Sequence, residues 1–76
     1  MGETFRIEME IAGTFGTDWL AFADQFNTCA AAIVKVVKLR IEDADYADAR
    51  FRVMRLKRNA SGSPVWTFDT LVDVHK

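Results

Sequence analysis

The sequence predicts an α+β domain, a mostly antiparallel four-stranded sheet with one helix packed on one face, in the order β-α-β-β-β. Residues 4–12 alternate apolar and polar, the mark of a half-buried strand. Residues 18–32 repeat apolar side chains at three- and four-residue steps, the mark of an amphipathic helix. Two β-like runs flank the turn-rich segment NASGSP, the mark of a hairpin.

In the first strand Phe5, Ile7, Met9 and Ile11 fall on one face, and Thr4, Arg6, Glu8 and Glu10 on the other. The glycines of GTFGT interrupt this pattern, and Thr17 is placed to cap a helix opening with Asp18. That helix runs to Ala32 or slightly beyond, with Trp19, Phe22, Ala23, Phe26, Ala30 and Ile33 on its apolar stripe. VVKLRIED alternates Val37, Leu39 and Ile41 against Lys38, Arg40 and Glu42, which predicts a second strand. ARFRVMRLKR reads as a third strand whose apolar side changes between Val53 and Met54, a change that asks for a bulge. Its alternative is a helix over residues 44–58, in the order β-α-β-α-β. VWTFDTLVDV supplies the last strand, with Trp66, Phe68, Thr70, Val72 and Val74 on one face.

With 76 residues, half of them apolar, the chain forms a single domain over residues 1–76 with material for one core. The net charge of −1 is unevenly spread. Five acids and one base occupy residues 1–34, whereas eight bases and four acids occupy residues 35–58. Separated signs with a near-zero sum suit a protein partner, or a homodimer, better than a polyanion. A single cysteine excludes an internal disulfide. The opening residues lack a signal-peptide pattern, and the longest apolar run, AAAIV, cannot span a bilayer. The expectation is a cytoplasmic protein without membrane contact.

Catalytic chemistry finds little support. His75 is the one histidine and lies next to the C-terminus, and no Ser or Cys has an identifiable base. Cys29, placed in the later half of the predicted helix, reads as a small buried hydrophobe. Glu42, Asp43, Asp45 and Asp48 do not match a calcium loop, because the central Gly is missing and Met54 stands where the twelfth-position Glu belongs. Neither a metal nor a cofactor is expected, and the chain reads as a non-enzyme.

IEMEIAGTFGTDW resembles the strand, Gly-Thr turn and Trp-opened helix of dodecins, small β-α-β-β flavin-binding oligomers. The resemblance covers little more than one sixth of the chain and implies a flavin-binding oligomer. The family's second strand presents a flavin-stacking Trp and a nearby Gln. VVKLRIED has neither, so no site residue carries over.

The concentrated chemical signal is the basic run Arg50, Arg52, Arg55, Lys57 and Arg58, preceded by the acids Glu42, Asp43, Asp45 and Asp48. As a strand the run sets Phe51 opposite Arg50 and Arg52, so its cations and its ring do not share a surface. Arg6, Glu8, Glu10, Lys38, Arg40, Arg50 and Arg52 then fit one wet, salt-bridged sheet face. The expected function is a non-catalytic protein–protein interaction module working through that face or the acidic loop. Small phage or mobile-element inhibitors that occlude a host machine, as anti-CRISPR proteins do, are of this kind. Nucleic-acid binding through residues 50–58 is the alternative, beside the flavin reading.

Overall fold

A computed structural model describes residues 3–72. It contains β1 (Phe5–Gly13), β2 (Gly16–Phe26), α1 (Cys29–Glu42), a 3₁₀ turn (Ala44–Tyr46), β3 (Phe51–Arg58) and β4 (Pro64–Val72). The strands form one antiparallel sheet in the order β2-β1-β3-β4, and α1 packs on one of its faces. The predicted class, strand number and single helix are therefore present. The second strand and the helix occupy different residues from those expected, and the strand precedes the helix.

GTFG explains the first change. It closes a two-residue turn between β1 and β2, with Gly13 directly opposite Gly16. Gly16 has φ +125°, a conformation that L side chains rarely adopt. At Gly13 a Cβ would come within 3.0 Å of the Gly16 carbonyl. The chain therefore reverses into a second strand, and the helix that Thr17 was expected to cap does not form. The dodecin-like turn into a helix is a hairpin here. The pattern misled because β2 bulges: Arg6 pairs with Gln25 and Glu8 with Ala21, four steps of β2 against two of β1. Phe22 and Phe26 keep strand parity while also standing at helical spacing.

The helix begins where Thr28 caps it, its Oγ1 accepting the Ala31 N–H at 3.1 Å. It continues through VVKLRIE, the segment expected as a strand. Ala32 and Val36 are fully buried against the sheet, and Ile33 and Leu39 pack beside them. Such burial, worth about 1.5–3 kcal/mol for a Val or Leu, outweighs a β preference of a few tenths per residue. Alternation in the sequence hid a helical face.

Beneath α1 lie Phe5 and Ile7 of β1 with Phe51 and Val53 of β3. The rings of Phe22, Tyr46 and Phe51 meet at centroid separations of 5.8–6.3 Å, tying β2 and the 3₁₀ turn to β3. The helical alternative for residues 44–58 is excluded, since β3 is a strand.

A register shift falls between Val53 and Met54, the expected step, but the surplus residue, Asp69, belongs to β4. β3 itself stays regular against β1. Its apolar side does not switch; Met54 and Leu56 project to the face opposite the helix. The extra residue divides the expected apolar face of β4. Trp66 and Phe68 sit opposite Leu56 and Met54, while Thr70 and Val72 sit opposite the core residues Val53 and Phe51. Val74 and His75 lie outside the described residues. Among those described, no helix is long and apolar enough to cross a membrane.

Candidate functional site

The helix covers one sheet face and leaves the other open. Strand parity and pairing assign Arg6, Glu8 and Glu10 of β1, Trp19 and Ala21 of β2, Arg52, Met54 and Leu56 of β3, and Arg50 just before β3 to that open face. β4 adds Trp66, Phe68 and Leu71.

At the centre of this face is Glu8, 3% exposed. Burying a lone carboxylate is costly, and two arginines offset that cost. Arg52, directly across on β3, approaches Oε1 with Nε at 2.7 Å and Nη2 at 2.6 Å. Arg6 approaches Oε2 with Nε at 2.9 Å and Nη2 at 2.7 Å. Each guanidinium also lies over an indole. Arg52 reaches back across β1 to Trp19 on β2, and Arg6 reaches across β3 to Trp66 on β4, both 4.3 Å from the ring centroid. The result is a line of five side chains, Trp19, Arg52, Glu8, Arg6 and Trp66, spanning all four strands. Met54 is buried next to this line, while Phe68 and Leu71 stay 59% and 41% exposed.

The basic run does not form one patch. Arg50 and Arg52 join the open face, Arg50 through Glu10 at 3.2 Å. Arg55 points to the helix side, between Glu3 at 3.6 Å and Asp69 at 2.9 Å, with its guanidinium 5.4 Å from the Phe5 ring centroid. Lys57 is exposed at the end of the same side, in a shallow cleft with Arg55 and Asp69. Arg58 folds into the β3–β4 loop, donating to the Gly62 carbonyl at 2.9 Å.

Lys38 and Arg40, expected on the sheet, are on α1. Arg40 donates to the carbonyls of Ala49 and Val72 at 2.7 and 2.9 Å, fastening the helix end to β4. Glu42 at the end of α1 and Asp45 and Asp48 in the connector are exposed, whereas Asp43 is half-buried and accepts the Asp45 N–H at 2.9 Å. The acids that neutralise Arg52 and Arg55 are Glu8, Glu3 and Asp69, outside that connector.

Cys29 opens α1 instead of lying late in a helix; its Sγ is 3.6 Å from Thr70 Oγ1 and 3.8 Å from Asp69 Oδ1. The Thr70 hydroxyl donates to Asp69 at 2.8 Å and, with Arg55 beside it, holds the Asp69 carboxyl below its usual 3.8 against the opposing effect of burial. Among the described residues no cluster of His, Cys, Asp and Glu is placed to hold a metal.

Sequence reasoning grouped Arg6, Glu8, Glu10, Arg50 and Arg52 correctly but missed both tryptophans. The sequence pattern puts Trp19 on a helix, and Trp66 on one strand face with Phe68, Thr70, Val72 and Val74. The Gly-x-x-Gly turn carried the signal for the first, since a hairpin there makes Trp19 a neighbour of Glu10. Nothing in the sequence marks the surplus residue that turns Trp66 and Phe68 outward. Comparison with family models, curated proteins and solved structures finds no match to this chain.

Proposed function

We propose that the chain is a protein-binding module and that the open sheet face is its binding surface. The observation that carries this reading is the Trp19–Arg52–Glu8–Arg6–Trp66 line with Phe68 and Leu71 exposed beside it. Trp and Arg dominate the energetic centres of protein interfaces. Here Glu8 holds both arginines, and the arginines steady the indoles, so little side-chain freedom remains to be lost on association.

The same geometry disfavours the nucleic-acid alternative. Stacking bases requires free ring faces and phosphates require free cations. Each indole already has a guanidinium over one face, and both guanidiniums are engaged by Glu8. The centre of the face carries three arginines against two glutamates, little net attraction for a polyanion. The preferred partner surface is apolar with flanking carboxylates, suited to Phe68, Leu71 and the rim of Arg50. Occlusion of a larger assembly, the manner of a phage-type inhibitor, is one use of such a face.

The test is capture from nuclease-treated extract of the source cell. Wild-type protein retains a defined protein, and Phe68→Asp with Leu71→Asp loses it while keeping its circular dichroism spectrum. Capture that vanishes on nuclease treatment, or survives the double substitution, rejects the reading.

A further inference from the structure

α1 is apolar on more than its buried side. Ala32 and Val36 are buried, with Cys29, Ile33 and Leu39 packed beside them. A second stripe of Ala30, Val34, Val37 and Ile41 faces outward, with Val34, Val37 and Ile41 at 53%, 46% and 78% exposure. Its steps of four, three and four residues are those of a helix-pairing seam. Lys35, Lys38 and Glu42 occupy the remaining side, so the second stripe is a distinct apolar face beside a charged one, the arrangement of a helix that packs against a partner.

The stripe is complementary to itself when reversed. Aligning Val34 with Val37 of an antiparallel copy sets small Ala30 against large Ile41 at each end, the alternation that close packing prefers. Charge favours the same direction. The first turn of α1 contains no acid to meet the positive end of its dipole. Its last turn runs into Glu42, Asp43 and Asp45, and the base there, Arg40, is committed to the Ala49 and Val72 carbonyls. An antiparallel copy brings the acidic end of each helix beside the positive start of the other.

We propose that the protein forms a two-fold dimer through the antiparallel pairing of α1 with α1 of a second copy, along Ala30, Val34, Val37 and Ile41. The helices form the middle of the assembly and the two sheets its outside. Both open faces then point outward, so the dimer presents the binding surface twice and gains avidity for a repeated or dimeric partner.

One helix pair of about 21 Å is at the small end of stable interfaces, so dissociation falls at about micromolar concentration. Sedimentation equilibrium over about 1–500 µM should give a wild-type mass approaching twice 8.6 kDa. Val37→Asp, exposed and outside the core, should keep the circular dichroism spectrum and raise the dissociation constant by about a hundredfold or more. Direction is tested in a Cys29→Ser background under oxidation. Ala30→Cys with Ile41→Cys should cross-link the dimer, and Ile41→Cys alone should not. A wild-type monomer throughout the range, a Val37→Asp variant as dimeric as wild type, or efficient cross-linking by Ile41→Cys alone would overturn the proposal.

Discussion

Glu8→Gln keeps the shape at the centre of the open face and removes the charge on which two guanidiniums converge. The wild-type carboxylate receives four N···O contacts of 2.6–2.9 Å. Hydrogen bonds to a charged group contribute about 1.5–3 kcal/mol, against about 1 for neutral ones. Each arginine therefore loses about 1 kcal/mol of interaction. The amide NH₂ must also face one guanidinium, donor against donor, which raises the loss further. Arg6 and Arg52 are 27% and 25% exposed along their side chains, so water recovers part of it. A net loss of about 2 kcal/mol remains, large for a domain whose total stability is about 4–11 kcal/mol at this length. It corresponds to a fall in Tm of about 8–16 °C.

Urea denaturation at pH 7, followed by circular dichroism, measures the loss, and an unchanged slope shows that the unfolded reference is the same. Emission offers a second readout, because Trp19 and Trp66 are the two tryptophans of the chain and both lie under the affected arginines. The control is Glu10→Gln, which alters the more open Arg50–Glu10 pair and should cost no more than about 0.5 kcal/mol. If Glu8→Gln costs no more than Glu10→Gln, or leaves the folded-state emission unchanged, the central array is not the connected unit described above.

Thr28→Ala removes the side-chain acceptor for the Ala31 N–H and should lower stability by about 1 kcal/mol in the same denaturation assay; no change would place the true start of the helix elsewhere. Asp69, whose carboxyl is held below its ordinary value, binds a proton more readily unfolded than folded. Its contribution is complete above the unfolded value near 3.8 and is lost as pH falls through the lower folded value. Urea midpoints from pH 6 to pH 2 should therefore fall more steeply for wild type than for Asp69→Asn at the acidic end. Parallel curves would contradict the assignment.

The first strand is legible because its alternation is uninterrupted, and the third because Phe51 and Val53 alternate with Arg50 and Arg52; the two pair across a regular ladder. Phe5, Ile7, Phe51 and Val53 alternate into the core as the pattern implies. The second strand was not legible, because Phe22 and Phe26, four apart, satisfy helical and strand spacing at once, and the register shift between Ala21 and Gln25 leaves no mark in the sequence. The helix was hidden for the converse reason. Val37, Leu39 and Ile41 alternate, yet Leu39 packs against the core while Val37 and Ile41 face outward. Within the open face, the charged residues of β1 and β3 followed from parity alone. The tryptophans depended on a two-residue turn at one edge and an inserted Asp69 at the other, both decided by backbone geometry. Met54 and Leu56 show the same limit, since a second, partly apolar face resembled a change of side along one strand.

The central claim is that the open sheet face binds a protein partner, and it is tested most directly by titrating the captured partner, once purified, against wild type and two truncations. Phe68→Ala and Trp19→Ala remove open-face side chains without touching the core cluster beneath α1. Each is expected to cost at least about 2 kcal/mol of binding, about a thirtyfold loss of affinity. Val37→Asp on the helix, compared at concentrations where both proteins are monomeric, should bind as wild type does. Unchanged affinity for Phe68→Ala and Trp19→Ala, with loss in Val37→Asp, would move the binding surface to the helix and contradict the account.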